Sequence, residues 1–245
     1  SVLRSTTPLE SASYVDMTLD CLRQHGIVIE KEQDGFYRIP GNQHYRSGTY
    51  VVEGDYSQAA FWLSAGSLGR AICCTGLRSQ SSQGDAVIVS LIRDMGGQVE
   101  GKTELTACPS ELAGRVIDVE DCPDLVPVLT VLASCAKGIT RIIHAGRVRL
   151  KECDRLHAMA TELNKIGGDI EEEDEGLIIH GVGGFTGGTV SGWNDHRIAM
   201  ALAVASQRCR QPLRIEGAEC VRKSYPEFWQ DFQALGGMIQ KEGEE

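Results

Sequence analysis

The sequence predicts an α/β (α+β) fold in which one unit of helices and strands is repeated along the chain, and three observations carry that expectation. Four look-alike segments, CLRQHGIVIE, LIRDMGGQVE, ELNKIGGDIE and FQALGGMIQ, place Gly26, Gly96, Gly167 and Gly236 at spacings of 70, 71 and 69 residues. Three strongly apolar stretches, GDYSQAAFWLSAG, CPDLVPVLTVLAS and NDHRIAMALAVAS, interleave with them, and their leading acids Asp55, Asp124 and Asp195 stand 69 and 71 residues apart. A strand-like segment follows each apolar stretch: RAICCTGL, TRIIHAG and PLRIEGA. A fixed period of this kind marks a supersecondary unit that buries its faces only against its neighbours.

Each glycine-ended segment is an amphipathic run passing into alternating residues, the pattern of a helix with a glycine C′ cap that feeds a β-hairpin. Each apolar stretch has helical length and is apolar on every side, so it reads as a buried helix. Its acid lies in the first turn, where Asp can cap free N–H groups and meet the positive end of the helix dipole. The unit is therefore helix, hairpin, buried helix, strand, present about three and a half times. Residues 50–245 are expected to form one lobe of three units. Residues 1–49 carry a helix (YVDMTLDCLRQHG) and a hairpin (VIEKEQDGFYRI) without the buried helix expected before them, as the tail of a preceding lobe. The stretch PGNQHYRSG is the expected linker.

Composition narrows the function. With 245 residues, 42% of them hydrophobic, a globular chain of this size buries roughly 70% of its unfolded surface. Lys+Arg number 24 against Asp+Glu 34, a net charge of -10, which argues against nucleic acid or an anionic membrane as partner. The longest nearly apolar run, LVPVLTVLASCA, is too short to span a bilayer, and SVLRSTTPLE has no apolar signal region. A soluble, cytoplasmic protein is the expectation. Nine cysteines, an odd number without metal-ligand spacing, are expected to be reduced and mostly in the core. His25, His44, His144 and His180 show no partner at ligand spacing, and EEEDEG reads as a solvated hairpin tip. The glycines of GVGGFTGG do not fit G-x-G-x-x-G and read as a loop.

Against this acidic background the basic residues stand out by position. In RLKECDRL, Lys151 to Arg155 fall at a strand-to-helix junction, on the first turn of a helix. A cation there is opposed by the helix dipole, by roughly 0.3–1 kcal/mol at exposed sites. A bound anion reverses that, because free N–H groups, dipole and basic side chains then share one negative partner. NDHRIAM puts His196 and Arg197 on the first turn of a buried helix, and VRKSYPEFW puts Arg222 and Lys223 before a helix that starts near Pro226. Surface ion pairs between neighbours, Lys151 with Glu152 and Arg197 with Asp195, would be worth only about 0–1 kcal/mol. Three basic junctions at repeat-equivalent places favour a polyanion-binding cleft instead. Among the cations stand Asp124 and Glu152, candidates for acid–base work worth roughly 10²–10⁴ in rate. Asp124 can equally be an N-cap, Asp154 reads as a helix cap, and Cys153 as an ordinary thiol.

The segments SASYVDMTL, VEGDYSQAAFWLSAG, QGD, PDLVPVLTVLA, RLKECDRLHAMATEL, NDHRIAMALAVA and KSYPEFWQDFQALGG, in this order, resemble the C-terminal portion of the 3-phosphoshikimate 1-carboxyvinyltransferase (enolpyruvylshikimate-phosphate synthase) family. The resemblance covers essentially the whole chain. It implies two similar lobes of βαβαββ units with inward-facing helices whose N-termini line an interlobe cleft, in a protein that is monomeric at full length. It further implies transfer of the enolpyruvyl group of phosphoenolpyruvate to the 5-hydroxyl of shikimate-3-phosphate, with release of phosphate and no metal or organic cofactor. By position, Asp124 matches the proton acceptor from the attacking hydroxyl, and Glu152 the proton donor at the phosphoenolpyruvate methylene. Lys151 matches the lysine on the shikimate side; Arg155, Arg197 and Lys223 match the cations that hold phosphoenolpyruvate. Ser11 matches the serine on the shikimate phosphate, Tyr14 lines the same pocket, and His196 resembles the cleft histidine.

Arg147 stands where many relatives have Asn or Gln against the shikimate ring. The family's N-terminal lobe is missing, so the resemblance implies that it is a required partner and that this chain alone turns over little or nothing. Two rivals remain: a UDP-N-acetylglucosamine enolpyruvyl transferase, disfavoured by KECDR and NDHR, and a non-catalytic anion-binding repeat module, disfavoured by the presence of Asp124 and Glu152.

Overall fold

The computed structural model describes residues 1–9 and 12–240. The first group of elements is β1 (Val2–Arg4), α1 (Ala12–Gln24), β2 (Glu30–Gln33) and β3 (Phe36–Arg38), with β3 between β1 and β2 and antiparallel to both. No helix or strand then occurs until α2 (Tyr56–Leu68). A first unit continues with β4 (Ile72–Cys74), α3 (Ile88–Asp94), β5 (Gln98–Glu100) and β6 (Leu105–Cys108). A second is β7 (Val116–Asp118), α4 (Val126–Cys135), β8 (Ile139–Ile143), α5 (Arg155–Lys165), β9 (Asp169–Glu173) and β10 (Gly176–His180). A third holds β11 (Gly188–Ser191), α6 (His196–Ser206), β12 (Leu213–Glu216) and α7 (Phe228–Ala234).

The second unit is a complete βαβαββ motif. Its sheet runs in the order β7-β8-β10-β9, with β7 parallel to β8 and the later strands antiparallel. Sequence pattern missed the leading strands β7 and β11, which are too short at three and four residues to show alternation. Each pairs in parallel with the strand after the next buried helix, as a helical crossover requires. The repeat itself is written in the backbone. Gly26, Gly96, Gly167 and Gly236 all take left-handed conformations, with φ of +83°, +94°, +92° and +98°, each just past the end of a helix.

The apolar helices form the core and pack on one another. Eleven of thirteen residues are buried in α2, nine of ten in α4 and ten of eleven in α6, so these helices have no solvent face. Three of their buried hydroxyls turn back on the helix: Ser67, Thr130 and Ser134 each donate to the carbonyl four residues earlier, which offsets the cost of burying them. Gly66 lets α2 lie against β6, because a Cβ there would meet the Ala107 carbonyl oxygen at 2.8 Å. The third unit closes on the first: Trp62 of α2 stacks on Phe228 at 5.0 Å between centroids, and its indole N–H donates to the Tyr225 hydroxyl at 3.2 Å.

Among the described residues no helix is long and apolar enough to cross a membrane. All nine cysteines are free, but only Cys122 is fully buried, and Cys21 and Cys73 are exposed. Cys122 lies in the core, and the half-buried Cys74, Cys135, Cys153, Cys209 and Cys220 pack against it.

Candidate active site

The starts of α2, α4, α5 and α6 carry the charged residues, and aspartates set three of those starts. Asp55 accepts from the Ser57 N–H at 2.7 Å, Asp154 from His157 N–H at 3.1 Å and Asp195 from Arg197 N–H at 2.9 Å. Asp124 departs from this pattern and caps nothing. It lies inside a 3₁₀ turn, Pro123–Leu125, that leads into α4, and its oxygens go to side chains. Oδ1 meets Arg155 Nη1 at 2.8 Å and Lys151 Nζ at 3.3 Å; Oδ2 meets Arg197 Nη2 at 2.9 Å and accepts from the Tyr14 hydroxyl at 3.2 Å.

The expectation that Lys151 to Arg155 share the first turn of a helix is corrected. A 3₁₀ turn, Gly146–Leu150, follows β8, and Lys151, Glu152 and Cys153 form a connector before the Asp154 cap; only Arg155 is helical. Asp154 fixes the start because its side chain can reach the free N–H groups from the cap position. Lys223 likewise ends a 3₁₀ turn, Ala218–Lys223, and α7 begins at Phe228.

Pairing between sequence neighbours does not organise the charges. Arg155, only 1% exposed, places Nε 2.8 Å from Asp195 Oδ2, Nη1 on Asp124 and Nη2 2.7 Å from Glu152 Oε2. Lys223 Nζ lies 2.6 Å from Glu152 Oε1. The four cations Lys151, Arg155, Arg197 and Lys223 thus interlock with the carboxylates of Asp124, Glu152 and Asp195. Buried in the same cluster, Arg197 Nη1 and His196 Nδ1 lack a hydrogen-bond partner among the described residues. Burial and the neighbouring Arg197 charge lower the His196 pKa, so its ring is neutral at pH 7. Arg147 is exposed on the turn before Lys151, and Ser11 lies outside the described residues.

Burial pushes both acidic groups up, and the cations overcome it. Arg197, Arg155 and Lys151 bring Asp124 down to about 2. The Lys223 hydrogen bond, Glu152's own backbone N–H and the Arg155 charge do the same for Glu152, also to about 2. Both carboxyls titrate lower in the folded chain than unfolded, so their contribution is complete above the ordinary carboxylate range. Stability should fall as pH drops from roughly 4.5 towards 2. Tyr14 is raised, by burial first and then by Asp85 and Asp124, and stays protonated as the donor to Asp124.

Sequence reasoning missed two members. Asp195, expected as a cap or as a surface partner of Arg197, also grips Arg155 from inside the core; its place in the 70-residue period was the available signal. Asp85, in QGD, is 4% exposed, accepts from the Ser57 hydroxyl through Oδ2 and leaves Oδ1 unpartnered. Burial raises it to about 6 against the Ser57 hydrogen bond and the Arg197 charge. A carboxyl raised on folding costs stability as pH climbs from about 4 past 6. Asp85→Asn should therefore raise stability by about 3 kcal/mol at pH 7.5 but by only about 1 kcal/mol at pH 4.5, as read by thermal unfolding at the two pH values. Equal effects at both pH values would contradict the assignment.

His144 also corrects the sequence reading. Parallel pairing sets Asp118 beside Ile143, so the ligand atoms of Asp118, Glu120 and His144 come within 4.8 Å of one another, with His144 Nδ1 2.8 Å from Asp118 Oδ2. All three residues are exposed.

A repeat fold whose buried helices begin around interlocked cations and carboxylates defines an α/β repeat protein with a dense charged cluster at its helix starts. The comparisons make this specific. The family model described as EPSP synthase (3-phosphoshikimate 1-carboxyvinyltransferase) matches residues 3–232, and the chain belongs to that family. It is 52% identical over 240 residues to the 3-phosphoshikimate 1-carboxyvinyltransferase of Clostridium kluyveri and 50% identical over 239 residues to that of Clostridium acetobutylicum. In each case 98% of this chain aligns with 56% of the relative, so the chain spans about half the length of the curated relatives it matches. An EPSP synthase structure from Acinetobacter baumannii superposes with a TM-score of 0.84 at 25% identity, over 98% of this chain and 57% of that one.

Proposed function

We propose that this chain supplies one wall of a cleft in which the enolpyruvyl group of phosphoenolpyruvate passes to the 5-hydroxyl of shikimate-3-phosphate with release of phosphate. The carrying observation is the interlock around Asp124. Three cations are held there by internal carboxylates, and Arg197 keeps one buried N–H group without a partner. A phosphorylated, carboxylated substrate can replace those internal counterions, each cation exchanging one carboxylate for another anion.

In this reading Arg155, Arg197 and Lys223 hold phosphoenolpyruvate and the charge of the tetrahedral intermediate. Lys151, Tyr14 and Arg147 serve the shikimate side, Ser11 is assigned to it by sequence position alone, and His196 borders the donor. Asp124 takes the proton of the attacking hydroxyl and Glu152 delivers one to the methylene carbon. At a pKa of about 2 Glu152 is ionised in the free protein, so donation depends on substrate. Once Lys223 and Arg155 turn to phosphoenolpyruvate, burial is left to raise Glu152 towards a pKa at which it carries a proton. The same exchange restores basicity to Asp124. No metal or organic cofactor enters the proposal.

Residues 1–49 belong with a preceding lobe and 50–245 form the C-terminal lobe of three repeats, with a monomer in the cytoplasm as the complete protein. The test is phosphate release from phosphoenolpyruvate, measured on this chain alone and with the upstream lobe supplied. Little or no turnover alone, and shikimate-3-phosphate-dependent release on reconstitution, are expected because positioning needs both walls. Near-normal turnover by the isolated chain, or release driven by UDP-N-acetylglucosamine, would overturn the proposal.

A further inference from the structure

The turn that delivers α6 to the cluster is strained. Trp193 and Asn194, immediately before the Asp195 cap, both take left-handed conformations, with φ of 53° and 51°, and a bulky residue such as Trp rarely adopts one. Glu162 of α5 holds this turn. Its side chain is 1% exposed, Oε1 accepts from the Trp193 indole N–H at 2.7 Å, and Oε2 accepts from the Ser191 N–H at 3.0 Å. Lys165 Nζ sits 2.8 Å from both oxygens, and Trp193 also meets the His157 ring edge-on at 5.7 Å. Arg155 and Glu162 are seven residues apart, two turns along one face of α5. The first grips Asp195 and the second grips the turn before it.

We propose that Glu162 and Trp193 form a latch that positions the start of α6, so that Glu162 is a positioning residue for Arg197. This rests on the reading of Arg197 as a ligand of phosphoenolpyruvate. A buried carboxylate is a poor way to gain stability, since an apolar pair could fill the same space without desolvating a charge. What this one holds is a backbone conformation that the sequence WN does not favour by itself.

The test is amide NMR on the 245-residue chain, with phosphoenolpyruvate as probe. Glu162→Ala should shift the Arg197 amide, which donates to Asp195, and reduce its exchange protection at least about tenfold, while amides of α4 keep theirs. Glu162→Gln keeps an acceptor oxygen and should restore most of that protection. The phosphoenolpyruvate Kd should rise about fivefold or more in the alanine variant and less than about twofold in the glutamine variant. An Arg197 amide unchanged by Glu162→Ala would overturn the latch. If the isolated wild-type chain does not bind phosphoenolpyruvate, the affinity is read in the protein completed with its upstream lobe, where absence of binding would overturn the proposed function, and the Arg197 amide still decides the latch. Should Glu162→Ala not fold, Trp193→Phe removes the donor and keeps a ring, and the same criteria apply.

Discussion

Replacing Arg155 with methionine is expected to destabilise the chain by about 3–5 kcal/mol and to abolish binding of phosphoenolpyruvate. Arg155 is almost wholly enclosed and, among the described residues, is the one cation shared by Asp124, Glu152 and Asp195. The substitution preserves much of the volume but leaves Asp195, at 0% exposure, as a buried charge without its cation. Lysine is not a substitute, because its three N–H groups share one nitrogen and cannot reach the three carboxylates that the Nε, Nη1 and Nη2 atoms of the planar guanidinium meet on different sides. Urea unfolding at pH 7.5 measures the effect. Repeating it near pH 4 should recover part of the loss, since the abandoned carboxyls can then take up protons. A loss below about 1 kcal/mol at pH 7.5 would show that the network contributes no more than surface pairs do.

Glu152→Gln, placed in the enzyme completed with its upstream lobe, should lower kcat at least about 100-fold and change the KM for phosphoenolpyruvate by less than about threefold. Glutamine keeps the shape and one acceptor oxygen, enough for one of Arg155 and Lys223, both of which turn to phosphoenolpyruvate in the proposed complex, but it cannot deliver a proton. Steady-state kinetics with both substrates separates the two parameters. An unchanged kcat would favour the scaffold reading, in which the cluster only binds anions. A KM that rises with kcat intact would make Glu152 a binding residue.

Much of the architecture was legible because the repeat uses residues with strong local preferences. Glycine just past a helix and aspartate at a helix start speak through backbone geometry alone, so Gly96, Gly167, Asp55 and Asp195 could be read without knowing their neighbours. The cations of the cluster were legible as misfits against the helix dipole. Their partners were not. Arg155 finds Asp124 and Asp195 at separations of 31 and 40 residues, and Glu152 finds Lys223 at 71, distances set by how the units stack and not by any local pattern. Asp85 was silent for the same reason: one carboxylate in a short 3₁₀ turn looks exposed until α2 and its Ser57 are laid over it. The short strands β7 and β11 escaped because parallel pairing, not alternation, defines them.

The stacking of Trp62 on Phe228 bears on the order in which the molecule can assemble. The two rings belong to the first and last units, and the hydrogen bond beside them joins residues 163 positions apart. Because α2 also packs directly on α6, the first buried helix keeps an uncovered apolar flank until the final unit exists. A chain emerging from the ribosome therefore cannot complete its core unit by unit, and long-range closure of this kind is slow. The closing event buries an indole, so Trp62 offers a spectroscopic clock for the last step of folding. Chains cut before Tyr225 should stall with that clock unset.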